Sequence, residues 1–179
     1  IKPAQQEHNT IVVSKDGEVL SLGRLADANE RNFAHIIGSA KNQDSSLSIL
    51  STTLYDYVGM EWTRNIFWTS MNGFWVIDDL LAQEDGTYVT KCVWRTLGQV
   101  QADDNVIRVT QAKSETETIP YQMFIARGDD AKATVFQQFD YGHEGIFGYY
   151  DDYDFATSET NVINQIYNRK LIKGQELSY

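Results

Sequence analysis

Cysteine is almost absent from this sequence: Cys92 is the only one among 179 residues. A single thiol cannot form an intrachain disulfide, so the fold depends on its apolar core, which a chain of this length can build without covalent cross-links. Cys92 lies in the alternating run TYVTKCVWRTL. This position predicts a buried core thiol.

Long apolar runs are also missing. No segment approaches the roughly 18 apolar residues of a transmembrane helix, and the first residues contain no apolar stretch typical of a signal peptide. No membrane span is therefore predicted. The sequence starts at Ile1 rather than Met, from which we expect that a leader has been removed or that the chain is a fragment of a longer multidomain protein.

Positive charge is scarce. Lysine and arginine total 15 against 25 aspartate and glutamate residues, which gives a net charge of −10. This charge repels polyanions, and no segment carries a basic stripe, so no nucleic acid partner is predicted. It also opposes the binding of heavily sulfated or uronate-rich glycans, unless a local group of arginine or lysine residues attracts them.

Motifs of several enzyme classes are missing. The sequence has no G-x-S-x-G nucleophile elbow, no phosphate-binding P-loop and no G-x-G-x-x-G dinucleotide motif. Its three histidines, His8, His35 and His143, lack the spacing of a zinc site. No metal site and no cofactor are predicted. His35 lies in an apolar run and is expected to be buried or half-buried in the core, whereas His143 is expected to be solvated.

Helical periodicity is weak and the chain has only two prolines. Short apolar or alternating runs recur between turns rich in Gly, Asp and Asn, as in NVIRVTQ, YQMFIAR, ATVFQQFDY and NVINQIYNRKLI. This pattern predicts an all-β fold, a large antiparallel two-sheet sandwich of the supersandwich type with few or no helices. We expect one β-sandwich domain over residues 1–179, with a short helix at residues 26–31 as a lesser alternative.

Two hairpins are predicted in detail. Asp16-Gly17 is typical of a two-residue turn whose central residues have positive φ. NIFWTS and GFWVIDDL flank Met71-Asn72-Gly73 and form the second hairpin, with their aromatic side chains as cross-strand partners. Because these strands carry apolar residues on both faces, we expect the core to contain Trp62, Trp68 and Trp75.

The segment GIFGYYDDYDFATSE has the composition of a sugar-binding loop. Tyr149, Tyr150 and Tyr153 stand beside aspartates in this segment. Tyrosine rings can stack on sugar rings while carboxylates accept hydrogen bonds from sugar hydroxyls. Two alternatives stay open: the carboxylates bind a divalent cation such as calcium, or the loop simply packs on the sandwich.

Three segments together resemble the C-terminal β-sheet domain of the heparinase II/III-like proteins. They are HNTIVVSKDGE, the long run YDYVGMEWTRNIFWTSMNGFWVIDDLLAQEDGTYVTKCVWRTLG, and VINQIYNRKLIKGQ. In that family a His-Asn-Thr-type segment opens the first strand of the domain, and a Trp-x-Arg strand leads into a hairpin. The resemblance spans most of the chain and implies an all-β domain.

Members of known activity in that family are polysaccharide lyases, so the resemblance implies a polysaccharide or oligosaccharide partner and a periplasmic or secreted location. Such enzymes act by β-elimination, in which a base removes the C5 proton of a uronate and an Asn or His neutralises its carboxylate. His8 is the one residue that corresponds to this machinery. Much of the rest belongs to an α/α-toroid domain, which is expected in a missing N-terminal part.

Arg64 is a further candidate for binding substrate, as a clamp for a sugar carboxylate; the alternative is an ion pair with Asp78, Glu61 or another acidic residue of the sheets. Three functions remain open from the sequence. The chain is the β-sandwich part of a lyase-type protein and inactive alone, or a stand-alone carbohydrate-binding module, or a structural domain of a secreted protein.

Overall fold

The computed structural model describes residues 9–19, 34–70, 73–96, 99–103, 106–112, 117–124, 132–139 and 159–179. Within these ranges the chain forms strands and turns, and no helix is found there. The strands are β1 Thr10–Lys15, β2 Glu18–Val19, β3 His35–Lys41, β4 Leu47–Tyr57, β5 Met60–Thr69, β6 Gly73–Ala82, β7 Gly86–Thr96, β8 Gln99–Asp103, β9 Val106–Ala112, β10 Thr118–Phe124, β11 Lys132–Phe139, β12 Glu159–Leu171 and β13 Glu176–Ser178.

These strands form three antiparallel sheets. Their orders are β11-β12-β7-β1-β2, β10-β9-β8 and β13-β6-β5-β4-β3. The all-β antiparallel sandwich predicted from the sequence is confirmed. The helix considered at residues 26–31 lies outside the described residues.

The chain divides into two compact units. One is built mainly from Ile11–Lys91 and Tyr167–Tyr179, and the other mainly from Cys92–Ile166. The sheet β13-β6-β5-β4-β3 belongs to the first unit, and the sheet β10-β9-β8 belongs to the second. The expectation of a single domain over residues 1–179 stays a prediction.

Each unit has its own apolar core. In the first unit, the buried side chains include Ile11, Val13, Tyr57, Met60, Leu80 and Tyr88. The Tyr57 hydroxyl donates a 2.7 Å hydrogen bond to the Ile11 carbonyl, and burial raises the pKa of Tyr57 well above its ordinary value. In the second unit, Ile107, Val109 and Ile163 form the centre, and Trp94, Val100, Tyr121 and Met123 pack against them. Cys92 is buried, as predicted.

The predicted turn at Asp16-Gly17 is confirmed. Lys15 pairs with Glu18, so the hairpin loop has two residues, and both adopt positive φ, 50° at Asp16 and 85° at Gly17. The Asp16 carboxylate accepts a 2.9 Å hydrogen bond from the backbone N–H of Thr87. The short turn is therefore hydrogen-bonded to β7 through Thr87.

A second two-residue turn joins β4 and β5. Tyr57 pairs with Met60, and the intervening Val58 and Gly59 have φ of 55° and 75°. Glycine adopts this conformation freely, whereas the branched Cβ of valine is strained there. A Cβ on Gly59 would also lie 2.9 Å from the Tyr88 hydroxyl oxygen.

Pro120 lies inside β10. The strand begins two residues earlier, at Thr118. Among the described strands β10 is an edge strand of its sheet, which is where proline is tolerated within a strand.

Candidate functional site

A cluster of charged and aromatic residues lies on β5 and β6. Arg64 and Asp78 are directly opposite each other. The guanidinium donates to both carboxylate oxygens, with Nε–Oδ1 at 2.7 Å and Nη2–Oδ2 at 2.9 Å. The indole Nε1 of Trp62 donates a third bond of 2.7 Å to Oδ1, and the Arg64 Cζ atom lies 5.0 Å from the Trp62 ring centroid.

This cluster links β5, β6 and the C-terminal residue Tyr179. Asp78 is only 1% exposed, and its backbone N–H and C=O are hydrogen-bonded to Tyr179. A buried carboxylate needs such partners, because an unpaired charge there is strongly unfavourable. The ion pair with Asp78, the alternative considered for Arg64, is therefore present, and substrate binding by Arg64 stays a prediction.

The other end of the same hairpin is a surface rich in exposed aromatic rings. Trp68, Phe74 and Trp75 are 62%, 61% and 59% exposed. The expectation that Trp68 and Trp75 belong to the core is therefore wrong, whereas Trp62 is partly buried and bonded to Asp78. A strand with apolar residues on both faces is buried only where another layer covers it.

The predicted cross-strand pairing of these rings is confirmed. Trp68 is opposite Phe74, and Phe67 is opposite Trp75. Side chains directly opposite each other in an antiparallel pair point to the same face of the sheet, and adjacent residues point to opposite faces. Each face at this end therefore carries one aromatic pair.

The two faces differ in what lies beside the rings. On the first, which we call the lysine face, the register aligns one residue from each of four strands: Lys41, Ser48, Trp68 and Phe74. On the second, which we call the apolar face, the corresponding row is Ala40, Ile49, Phe67 and Trp75. Only the row on the lysine face includes a cation and a hydroxyl.

A polar loop with several internal hydrogen bonds joins β3 to β4 beside these rows. Asn42 accepts a 2.9 Å bond from the N–H of Leu47 and donates a 2.8 Å bond to the Ser46 hydroxyl. The Asp44 carboxylate accepts bonds from the N–H and the hydroxyl of Ser46. The Ser46 carbonyl accepts a bond from Ser70 N–H, which joins this loop to the end of the β5–β6 hairpin.

The charge of this loop is stabilised by the same bonds. Hydrogen bonds from Ser46 lower the pKa of Asp44 below its ordinary value. The carboxylate therefore stays ionised below the usual pH range of an exposed aspartate. Lys41, at the start of the loop, is exposed.

The other predicted site residues fall into two groups. Outside the described residues lie His8, Tyr149, Tyr150 and Tyr153, together with His143. His35 is described, and the expectation of a buried or half-buried histidine is wrong: it is exposed in β3, an edge strand of its sheet among the described strands. Its ring lies 5.7 Å from that of Tyr55, centroid to centroid.

Among the described residues, no group of His, Cys, Asp or Glu is arranged to hold a metal ion. That part of the chain also contains no helix long and apolar enough to cross a membrane.

Sequence reasoning missed the row of Lys41, Ser48, Trp68 and Phe74. The alternation of β5 and the position of its turn were sufficient to pair Trp68 with Phe74. The residues that β3 and β4 add to this row could not be predicted, because the sequences HIIGSAK and LSILSTTLYDY do not reveal how the two strands pair. That register includes an irregularity between Ile36 and Gly38, which shifts every later pair by one residue.

The fold is an antiparallel β-sandwich similar to one part of solved heparinase structures, as the sequence resemblance implies. The chain is similar to the heparan sulfate lyase HepC from Pedobacter heparinus, with a TM-score of 0.58 and 10% identity. It is also similar to a heparinase III, the BT4657 gene product, with a TM-score of 0.54 and 14% identity.

Each of these matches covers 97% of this chain and 23% of the solved chain. This chain thus spans about a quarter of the length of the enzymes it resembles. At such low identity the likeness establishes the fold alone. No protein-family model matches the sequence, and neither does any curated protein.

Proposed function

We propose that this chain is the β-sandwich part of a heparinase II/III-like protein of the polysaccharide-lyase type, where it contributes to glycan binding and is not catalytic alone. The similarity of nearly the whole chain to a quarter of a heparan sulfate lyase carries this proposal. A periplasmic or secreted location, and an α/α-toroid domain preceding this one, belong to the same proposal.

The exposed aromatic end of the hairpin supports a role in glycan binding. Solvent-exposed aromatic rings clustered on one surface are typical of binding sites. Sugar rings have apolar C–H faces that pack on aromatic rings and hydroxyl edges that need hydrogen-bonding partners. Trp68 and Phe74, which share one face of this hairpin end, offer the first of these, and the loop from Asn42 to Ser46 offers the second.

The size of the match supports the proposed lack of activity in the isolated chain. Elimination needs a base at C5, a group that neutralises the carboxylate and an acid for the leaving oxygen, all placed around one sugar. The resemblance assigns most of these groups to the toroid. Of the residues in this chain, His8 alone is assigned to them.

A stand-alone carbohydrate-binding module is the second candidate, and the same exposed rings favour it because they need no other domain to bind a sugar. A structural domain of a secreted protein is the third. The first two candidates predict retention by glycans, whereas the third does not.

The test uses the purified chain with heparosan, alginate and a neutral β-glucan. We expect no rise in ultraviolet absorbance from an unsaturated uronate product, and retarded migration in gels containing at least one of these polymers. Formation of unsaturated product would overturn the proposed inactivity of the chain. Unretarded migration in all three gels would overturn the glycan-binding role.

A further inference from the structure

We propose that the lysine face binds a short oligosaccharide across β3, β4, β5 and β6, with sugar rings stacked on Trp68 and Phe74 and polar contacts from Lys41 and Ser48. This inference rests on the glycan-binding role proposed above. It assigns that role to one face of one hairpin end.

The register supplies the shape of this site. Lys41 pairs with Ser48, Ser48 with Trp68, and Trp68 with Phe74, so the four side chains form one line perpendicular to the strands. Neighbouring strands are about 4.8 Å apart, which makes the line about 14 Å long. This is the length of a short oligosaccharide lying flat on the sheet.

The order of chemical groups along the line matches a sugar chain. The two rings at one end, more than half exposed, give apolar surfaces for the C–H faces of pyranose rings. The hydroxyl of Ser48 and the ammonium of Lys41 at the other end give hydrogen-bonding groups for sugar hydroxyls. A few placed polar groups beside aromatic surface are what orient a small ligand.

The apolar face lacks the polar groups that a sugar needs beside the aromatic rings. Its row has an equal number of aromatic residues, yet Ala40 and Ile49 occupy the positions of Lys41 and Ser48. A sugar lying there would lose hydration of its hydroxyls without new partners, which is unfavourable. We therefore assign the oligosaccharide to the lysine face.

Lys41 also sets a preference for charge. In a chain of net charge −10 it places a cation at the end of the aromatic row. A carboxylated sugar would gain an ion pair with Lys41 that a neutral sugar lacks. Asp44, ionised in the adjoining loop, limits this gain to a sugar with few negative charges.

The experiment compares two tetrasaccharides that differ only at C6: cellotetraose and the corresponding β-1,4-linked glucuronate tetramer. Binding of each to the whole chain is measured by isothermal titration calorimetry. The double variant Trp68→Ala with Phe74→Ala should weaken the binding of both tetrasaccharides about tenfold or more, because aromatic side chains that a ligand covers contribute most of the binding energy. The matched control, Phe67→Ala with Trp75→Ala, removes the aromatic pair of the other face and should leave both affinities unchanged.

Lys41→Gln tests the charge preference. We expect the glucuronate tetramer to bind the parent chain about two- to fivefold more tightly than cellotetraose, and the variant to lose this difference while its affinity for cellotetraose is retained. Thermal unfolding of all variants checks that they fold. A double variant that unfolds is replaced by Trp68→Gln alone, with Trp75→Gln as its control.

The outcomes separate this site from the proposed function. The parent chain could be retarded in polysaccharide gels and yet bind neither tetramer, or the two double variants could lose affinity equally. Either outcome would overturn the site on the lysine face and leave the glycan-binding role standing. Sedimentation velocity tests whether a second copy of the chain occupies this face instead. If the parent is a dimer and the variant Trp68→Ala with Phe74→Ala is a monomer, the face belongs to the dimer interface and the inference is overturned.

Discussion

Asp78 shows how one buried residue organises the first unit. Its carboxylate accepts three hydrogen bonds from Trp62 and Arg64, and its backbone is bonded to Tyr179. Sequence reasoning offered Asp78 and Glu61 among the acidic partners of Arg64, and only the register could choose between them. Opposite positions on β5 and β6 select Asp78 rather than Glu61, which points to the other face.

Asp78→Asn is expected to destabilise the chain by about 3 to 5 kcal/mol, because it leaves the mostly buried Arg64 guanidinium without its counter-charge. Urea denaturation monitored by tryptophan fluorescence measures the change. The control, Arg64→Met combined with Asp78→Leu, removes both charges and should recover most of the loss. A single variant as stable as the parent would show that the ion pair contributes nothing.

Hairpins are the elements that the sequence predicts best. The turn at Asp16-Gly17 has a local signal, since few residues tolerate the positive φ of its two residues. The turn at Val58-Gly59 was not predicted, because valine is a poor residue for positive φ. Exposure at a hairpin end has no local signal at all, which is why Trp68 and Trp75 were assigned to the core.

Val58→Asn is expected to stabilise the chain by about 1 kcal/mol, because asparagine tolerates the positive φ of this turn and Asn-Gly favours it. The midpoint of urea denaturation should rise. Gly59→Ala should lower it, since the new methyl group is both strained and too close to the Tyr88 hydroxyl oxygen. A lower midpoint for Val58→Asn would mean that the valine side chain contributes packing that exceeds its backbone strain.

At the scale of the whole molecule, composition and periodicity were enough for the fold class but not for the surface. Turn spacing and weak helical periodicity predicted an antiparallel sandwich, and the strand pattern confirmed it. The candidate site combines residues from β3, β4, β5 and β6. Its first and last residues, Lys41 and Phe74, are 33 positions apart in the sequence. Such a site can be identified only when the long-range register of the strands is known, so it could not be predicted from a single sequence.

Cys92, the only thiol of the chain, gives the protein an internal reporter of its own opening. The thiol is buried in β7, at the start of the second unit, where an alkylating reagent reaches it only after the surrounding strands separate. Labelling rates at rising urea concentrations, followed by mass spectrometry, should therefore give the free energy of exposing this position. We expect Val58→Asn, which lies in the first unit, to slow labelling only if Cys92 becomes exposed by unfolding of the whole chain. An unchanged rate in that variant would show that the second unit opens by itself.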